Sequence, residues 1–348
     1  AFNGWDPDEY TLDRADRDFY LFFTILPTSV FIGAPNYKFV GKNDEGGDVW
    51  FADPHARRFD YDDFGEYSLV FGNSESHLER YHAFHANALD NDRDLYLYLP
   101  PGYETAQGKR YPVLYMHDGQ NLFDPAAPFG SWYVDEVIDD LLAEGAMKEI
   151  IVCGLANTPD RMDEYTHVED FVLGLTGGDA PLYADLLVNQ VKPFIDERYR
   201  TLPDRSNTAI LGSSLGGLVS FWIGYNFDDV FSLVGSMSGT MGWGSINLHN
   251  ETIIEIIAGG EKKALHYSLD SGGDSGAGPC VDADDDGIED DNPNASDNYC
   301  ENLQLRNVLE GKGYGAQELR YHWSPGAPHN ESAWHERLPL PLTFFFAP

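Results

Sequence analysis

The sequence predicts an α/β protein whose central sheet is mostly parallel, preceded by a small all-β unit. From about residue 85, apolar runs of strand length alternate with amphipathic stretches of helical spacing, the pattern of parallel strands joined by helices. Residues 1–75 instead hold short aromatic and β-branched runs broken by Gly, Asn and Asp, which is typical of β-structure. The 348 residues suffice for two domains, which we expect to span 1–75 and 76–348.

The predicted elements of the larger domain alternate along the chain, and two of its helices, 131–145 and 300–315, are expected to end at glycines. The predicted strands are 94–100, 112–119, 149–156, 208–214, 231–239, 264–269 and 318–323. The predicted helices are 131–145, 185–199, 215–225 and 300–315.

The chain is strongly acidic, with 58 Asp and Glu against 22 Lys and Arg and a net charge of -36. Such a surface repels nucleic acid and anionic membranes, and no apolar run approaches the ~20 residues of a membrane-spanning helix. We therefore expect neither nucleic acid nor a membrane as a partner. The acidity fits an ordinary solvated surface or an adaptation to salt, which screens self-repulsion.

The three cysteines divide into a pair and a single residue. Cys280 and Cys300 flank one loop, which predicts a disulfide. Cys153 lies in an apolar run and is expected to be a small buried residue. The alternative is three free thiols in a cytoplasmic enzyme.

A strand-to-helix turn carries the candidate nucleophile. Gly212, Ser214 and Gly216 form a G-x-S-x-G pattern between an apolar strand and a helix. A serine on so sharp a turn exposes its hydroxyl, and the flanking glycines avoid clashes with its strained backbone. The helix N-terminus that follows favours developing negative charge. We therefore predict an α/β-hydrolase fold with Ser214 as nucleophile and with Ser213 pointing elsewhere.

A serine of this kind is followed in the chain by an acid and then by a histidine. His329 lies in a turn-rich loop after the last predicted strand and is the predicted base, with His335 as the alternative. The acid, which orients the imidazole, should follow the strand 264–269. Three candidates follow that strand: Asp270, Asp274 and Asp297.

The larger domain resembles the esterase family that includes enterochelin esterases, feruloyl esterases and esterase-D-like enzymes, and the resemblance implies ester hydrolysis. In that family the acid sits shortly after a glycine of a D-x-G string and just before a helix. This order favours Asp297 if 274–296 is an insert, then Asp274 if the loop has no gap, and then Asp270. The matching strings are LYLPPGY (97–103), YMHDGQNLFD (115–124), SWYVDE (131–136), VKPFIDERYRT (191–201), SLDSGG (268–273) and PHNESAW (328–334).

A tetrahedral intermediate needs two backbone N–H donors, which form an oxyanion hole. We predict the first at Leu215, directly after the nucleophile, and the second at Gln120, in the loop after the strand 112–119. The alternative for Gln120 is an ordinary strand-end turn. By analogy with the family, Trp132 and Trp243 are predicted to line the substrate pocket, and the alternative for each is a place in the core.

An acidic loop, DADDDGIED at 282–290, is predicted to bind Ca²⁺ within an insert at about 274–300. Its residues reproduce positions 1, 3, 5, 6, 7 and 9 of a calcium loop. Pro293 stands where an EF-hand has Glu, so the loop resembles the looser loops of dockerin and thrombospondin type-3 repeats. The alternative is a solvated acidic loop. The predicted ligands are Asp282, Asp284, Asp286, Ile288 and Asp290.

The N-terminal strings resemble the β-sandwich of glycogen-binding and early-set immunoglobulin-like modules. The resemblance implies an immunoglobulin-like sandwich, in which Trp5, Trp50 and Tyr37 form a sugar-stacking platform or part of the core. The strings are FNGWDP (2–7), YKFV (37–40), VWFADP (49–54) and DDFGEYSLV (62–70).

Taken together, these patterns predict a serine carboxylic-ester hydrolase that works through an acyl-enzyme. The expected substrates are feruloyl, acetyl or other acyl esters of polysaccharides or small molecules. An acyltransferase on the same fold and a non-catalytic carbohydrate-binding protein are the alternatives. We expect no organic cofactor, and the disulfide and calcium loop predict a secreted or periplasmic location. The patterns do not predict the oligomeric state.

Overall fold

The computed structural model describes residues 13–14, 22–23, 36–54, 56–69, 75–172, 174–273, 280–289 and 296–348. The chain forms two compact units, and the boundary between them lies beyond the predicted end at residue 75. The first unit runs to Arg80 and includes Leu99–Gln107, and the second comprises Tyr81–Tyr98 and Gly108–Pro348.

The elements described in the first unit are short β-strands. They are β1 (Asp13–Arg14), β2 (Phe22–Phe23), β3 (Asn36–Tyr37), β4 (Phe39–Lys42), β5 (Asp48–Phe51), β6 (Arg58–Asp62), β7 (Gly65–Leu69) and the start of β8 (His77–Ala86). All their pairings are antiparallel: β1 with β2, β4 with β5, β3 with β7, and β6 with both β7 and β8. The strand content agrees with the all-β pattern, and the sandwich arrangement stays a prediction.

Two of the three aromatic residues predicted for a sugar platform lie within the described residues. The Trp50 side chain is exposed, and the Tyr37 hydroxyl donates to Asp53 Oδ2 at 2.8 Å. Trp5 lies outside the described residues. Sugar binding by this unit therefore stays a prediction.

The second unit is built on a mixed, mostly parallel sheet. Besides the end of β8, its main strands are β9 (Asn91–Leu99), β10 (Val113–Met116), β11 (Ile151–Leu155), β14 (Thr208–Ser213), β15 (Leu233–Met237), β16 (His266–Ser271) and β17 (Leu319–Trp323). A small hairpin, β12 (Glu169–Phe171) and β13 (Leu175–Gly177), lies apart from this sheet. The strands follow the order β17-β16-β15-β14-β10-β11-β9-β8.

Six of these strands are parallel, and β9 joins them antiparallel to β11. Every residue of β10, β11, β14 and β15 is buried, which matches their largely apolar composition. The seven predicted strands of the larger domain are all present. This confirms the predicted α/β class with a mostly parallel sheet.

The helices connect the strands in the predicted order. They are α1 (Val134–Ala143), α2 (Arg161–Glu164), α3 (Ala180–Asp185), α4 (Lys192–Arg198), α5 (Leu215–Asn226), α6 (Ile253–Gly259), α7 (Tyr299–Gly311), α8 (Glu331–Arg337) and α9 (Pro339–Phe345). A π-helical stretch, Leu186–Val191, joins α3 to α4. Among the described residues, no helix combines the length and apolar character needed to cross a bilayer.

The parallel strands place the loops that carry the predicted catalytic residues at one edge of the sheet. The loop at residue 118 follows β10, Ser214 follows β14, and the loop that carries His329 follows β17. Because parallel strands present their carboxyl ends at the same edge, these segments meet there. The fold thus brings loops that are far apart in sequence to one edge of the sheet.

The contact between α5 and β15 depends on the absence of a side chain at Gly224. A Cβ built there would lie 2.3 Å from Val234 Cγ2. We expect Gly224→Ala to lower the free energy of unfolding by about 1–3 kcal/mol, because β15 must shift to admit the methyl group. Denaturant unfolding measures this loss.

Gly259→Ala is the matched control, because a Cβ at the end of α6 would meet no atom within 4 Å. That variant should match or slightly exceed wild-type stability, since alanine favours a helix by up to ~1 kcal/mol. Equal losses in both variants would contradict the proposed packing constraint.

Candidate active site

Ser214 sits on a strained turn between β14 and α5. Its backbone has φ 55° and ψ -127°, a conformation that is rare for a residue with a side chain. The Ser214 N–H donates to Met237 O at 3.1 Å, and its carbonyl accepts from Gly217 N at 3.0 Å and from Thr240 N at 3.1 Å. Neighbouring backbone therefore holds the predicted nucleophile in its strained conformation.

The glycines around Ser214 are required by close packing. A Cβ on Gly212 would lie 2.6 Å from the carbonyl carbon of Gly216. A Cβ on Gly216 would lie 3.3 Å from His117 Cβ and 3.4 Å from Asp118 Oδ2. The turn at Ser214 thus packs directly against the loop that follows β10.

This loop carries the predicted second oxyanion donor. Asp118 has a left-handed backbone, with φ 56°, and a single 3-10 turn follows at Gly119–Asn121. A Cβ on Gly119 would lie 2.7 Å from the carbonyl carbon of Gly154, so β11 packs against the loop. Within the described part of the chain, the N–H groups of Gln120 and Leu215 donate to no acceptor. Both donors are therefore available, and their catalytic role stays a prediction.

A partly buried ion pair holds the loop in place. Arg161 donates from Nε to Asp118 Oδ1 at 2.7 Å and from Nη2 to Oδ2 at 2.8 Å. Asn157 Nδ2 donates to Oδ1 at 2.7 Å, and the Asp118 N–H donates to the Tyr165 hydroxyl at 3.2 Å. Burial alone would raise the pKa of Asp118, but the Arg161 guanidinium outweighs burial and lowers it.

The predicted base, His329, contacts one of the three candidate acids. Its Nδ1 lies 2.8 Å from Asp297 Oδ1. The Asp297 side chain is fully buried, whereas 35% of the His329 side chain is exposed. Asp297 Oδ2 accepts from Ser238 Oγ at 2.6 Å and from the Gly272 N–H. Both carboxylate oxygens are therefore fixed, and one of them orients the imidazole.

The alternatives to this pair have other partners. Asp270 accepts from Arg337 Nε at 3.3 Å. His335 Nδ1 lies 2.9 Å from the carbonyl oxygen of Trp132. Asp274 lies outside the described residues. Among the described candidates, Asp297 is thus the acid that meets His329.

The two tryptophans predicted to line the pocket are both buried. Trp132 is 3% exposed and packs against Trp334, with ring centroids 5.6 Å apart. Trp243 is 2% exposed and donates from Nε1 to Val168 O at 2.8 Å. Their burial gives both residues a packing role, and contact with substrate stays a prediction.

Several residues that support the site were absent from the sequence predictions. Ser238 and Arg337 both contact Asp297, and Arg161 binds Asp118 in the loop that follows β10. One signal for Arg337 exists, since it lies three residues after Trp334 on α8 and therefore shares its inward face. The sequence offers no comparable signal for Arg161.

The predicted calcium loop turns tightly on itself. Asp282 accepts from Asp286 N at 3.0 Å and from Gly287 N at 2.9 Å, and Gly287 has φ 99°. Ligand atoms of Asp284, Asp286 and His249 all lie within 4.8 Å of one another. The side chain of Ile288, whose carbonyl is a predicted ligand, is buried, and Asp290 lies outside the described residues.

The predicted disulfide is confirmed. Cys280 and Cys300 are bonded, with Cα atoms 5.4 Å apart. Cys300 is the second residue of α7, so the disulfide anchors the acidic loop beside the segment that carries Asp297. Cys153 is a buried free thiol, as predicted.

Residues 86–345 match the model of the family described as "Putative esterase". The chain belongs to this esterase family. The match covers most of the second compact unit and includes every residue of the candidate site. It confirms the resemblance inferred from the sequence strings.

Two curated proteins are similar to parts of the chain. An uncharacterized protein of Bacillus subtilis, YbbA, is 28% identical over 158 residues, which cover 43% of this chain and 57% of that protein. An endo-1,4-beta-xylanase/feruloyl esterase of Xylanibacter ruminicola is 31% identical over 147 residues, which cover 41% of this chain and 19% of that protein. The aligned part thus spans little more than half of the first relative and a fifth of the second.

Solved structures share the fold of this esterase family member. An IroE-like serine hydrolase from Shewanella oneidensis has a TM-score of 0.60 at 20% identity, covering 77% of this chain and 80% of that one. The enterobactin esterase of Shigella flexneri has a TM-score of 0.57 at 16% identity, covering 84% of this chain and 69% of that one. At these identities the likeness supports the fold.

Removal of the Arg161 charge should destabilise the protein in a pH-dependent way. We expect Arg161→Met to lower the free energy of unfolding at pH 7 by about 3 kcal/mol, since Asp118 then stays buried without its cation. Folding lowers the pKa of Asp118. The ion pair therefore stabilises the folded protein at pH values above about 4, the pKa of an aspartate in the unfolded chain, and this stabilisation is lost as the pH falls. The difference in the free energy of unfolding between variant and wild type should therefore become smaller toward pH 3.

Glu197→Gln serves as the control, because it breaks an exposed pair with Arg198, 3.0 Å long. Chemical denaturation should detect a change below about 0.5 kcal/mol. A gap for Arg161→Met that stays constant between pH 3 and pH 7 would contradict the assignment.

Proposed function

We propose that this protein is a serine carboxylesterase in which Ser214, His329 and Asp297 act as nucleophile, base and acid. The observation that carries the proposal is the 2.8 Å contact between His329 Nδ1 and the buried Asp297 carboxylate. This contact lies at the edge of the sheet where Ser214 occupies its strained turn. Membership of the esterase family supports the same conclusion.

The acylation step follows from these groups. Ser214 Oγ attacks the ester carbonyl while His329 Nε2 accepts its proton, and Asp297 stabilises the imidazolium that forms. The imidazolium then donates its proton to the oxygen of the departing alcohol. The acyl group stays bound to Ser214 Oγ as the acyl-enzyme. Water, activated by the same histidine, releases the carboxylic acid and regenerates Ser214.

The oxyanion formed in each step would be stabilised by the N–H groups of Leu215 and Gln120. The free donors and the close packing of the two loops that carry them support this role. Leu215 also begins α5, whose N-terminus favours negative charge. The ion pair between Asp118 and Arg161 would keep the second donor in position before substrate arrives.

We propose acyl esters of polysaccharides or small molecules, including feruloyl and acetyl esters, as the substrates. A feruloyl esterase name among the relatives supports an aromatic acyl group. The strong negative charge of the chain disfavours anionic substrates, which would be repelled during approach. The disulfide supports a secreted or periplasmic location, where such bonds persist.

Replacement of the proposed triad should abolish hydrolysis. We expect Ser214→Ala to lower kcat by about 10⁴-fold or more and Asp297→Asn to lower it by about 10²- to 10⁴-fold. The assay uses p-nitrophenyl acetate, methyl ferulate and acetylated xylan. Product analysis with an added alcohol distinguishes hydrolysis from acyl transfer.

Ser213→Ala is the matched control, because it removes the neighbouring buried hydroxyl. A fluorophosphonate probe should label wild type and Ser213→Ala at Ser214, as located by peptide mass spectrometry. Labelling of Ser214→Ala at full stoichiometry would defeat the assignment of the nucleophile.

We also propose that the loop at 282–290 binds Ca²⁺ and, with the disulfide, holds Asp297 in place. Three acidic side chains of the described loop, Asp282, Asp284 and Asp286, supply the hard oxygen ligands that Ca²⁺ prefers. The hydrogen bonds from backbone N–H groups to Asp282 support a loop already turned around the cation. Cys300 lies directly after the segment that carries Asp297.

Chelation should therefore destabilise the protein. We expect EGTA to lower the Tm by about 5 °C relative to millimolar Ca²⁺. This is the shift expected when the Ca²⁺ concentration is about a hundred times the Kd of the site. Asp282→Asn should remove the difference, whereas Asp44→Asn, in an exposed loop of the other unit, should keep it. An identical Tm in Ca²⁺ and EGTA would refute the calcium proposal and leave the esterase proposal intact.

A further inference from the structure

A buried polar group lies behind the contact between Asp297 and His329. Arg337, on α8, donates from Nε to Asp270 Oδ2 at 3.3 Å and from Nη2 to Asp297 Oδ2 at 3.4 Å. The same Nη2 donates to Ser238 Oγ at 2.7 Å, and this hydroxyl donates to Asp297 Oδ2 at 2.6 Å. One guanidinium thus connects two buried carboxylates, of which Asp297 contacts the histidine.

Ser238 is fixed in the orientation that this group requires. Its backbone has φ 51°, and its N–H donates to the carbonyl of Asp270 at 3.0 Å and to Asp270 Oδ1 at 3.2 Å. Its Oγ accepts from Trp334 Nε1 at 3.1 Å as well as from Arg337. With both lone pairs engaged, the hydroxyl hydrogen points to Asp297.

The charges in this group balance when the histidine is protonated. When Asp270 and Asp297 are both ionised, they face one guanidinium, so the group carries one net negative charge while His329 is neutral. Transfer of the serine proton to His329 makes the group neutral. With Asp270 protonated, the same transfer would leave a net positive charge in a buried site, which is unfavourable. Ionised Asp270 therefore favours the transition state over the ground state.

We propose that Asp270 and Arg337 are positioning residues for the proposed ester hydrolysis, on which this inference rests. Arg337 holds Asp297 against His329, and ionised Asp270 offsets the arginine so that the imidazolium forms more readily. Neither residue contacts the reacting atoms. The effect of Asp270 reaches the histidine through the charge of Arg337 and the orientation of Ser238.

Asp270 changes its ionisation near neutral pH. Burial raises the pKa of Asp270 to about 7; Arg337 opposes the rise and Asp297 adds to it. On β17, the register partner His322 has its pKa lowered by burial and by Arg337, and burial raises the pKa of Tyr321. Both therefore stay neutral near pH 7.

A pH series with Asp270→Asn tests the role directly. The ratio of wild-type to variant kcat/KM should be near one at pH 5.5, where Asp270 is protonated in wild type. It should rise to roughly tenfold above pH 8, where the charge is present, as for two charges interacting through a partly buried site. A purely structural defect would lower activity equally at every pH.

Glu79→Gln provides the matched control, since it removes an equally buried carboxylate in the other unit, where Glu79 binds Arg57 and Arg58. The ratio of wild-type to Glu79→Gln kcat/KM should stay constant across the pH series. Protein-observed NMR of His329 gives a second readout that needs no turnover. The wild-type imidazole signal should show an additional inflection near pH 7 that Asp270→Asn lacks, because the two ionisations influence each other.

Two results would overturn the inference. One is a pH-independent ratio for Asp270→Asn, and the other is a single inflection for His329 in wild type, which decides the matter even if the variant does not fold. If turnover requires Ser214 but either result appears, this inference fails and the esterase proposal stands. Turnover that survives Ser214→Ala defeats the esterase proposal, and with it the role given to Asp270.

Discussion

The hydrogen bond between His329 and Asp297 is the interaction on which the candidate site depends. A charged carboxylate without exposed surface is costly unless its oxygens have partners, and here one oxygen faces the imidazole while the other accepts from Ser238 and Gly272. The left-handed backbone at Asp297 turns the side chain inward immediately before α7. The sheet, the helix start and the buried arginine all serve to hold this one contact.

Much of the fold followed from the chain's apolar pattern. Fully buried parallel strands are rich in apolar residues, so β10, β11, β14 and β15 of the main sheet were recognisable. Ser214 was recognisable because its strained turn demands glycines at 212 and 216. These features are local, because each one constrains the residue types at a few consecutive positions.

Local sequence pattern did not distinguish the acid, and only the family resemblance ranked Asp297 first. The candidate aspartates lie in or after the strand that ends at Ser271, and the distinction among them depends on which one meets a histidine from another loop. Residues Asp297 and Asn298 both have positive φ, which nothing in the sequence requires. The same holds for Arg161, whose partner Asp118 lies on a distant segment. Long-range contacts of this kind leave no local periodicity to recognise.

The disulfide has a consequence for how this segment can change. The disulfide holds the Cα atoms of Cys280 and Cys300 5.4 Å apart, so the chain returns at Cys300 to nearly the point that it left at Cys280. The start of α7, and with it the position of Asp297, is anchored at the returning end. Exposed residues that follow Cys280, such as Ala283 and Asp285, can therefore change while the disulfide keeps the start of α7 in place. Substitutions at these positions would alter the loop without moving the carboxylate that contacts His329.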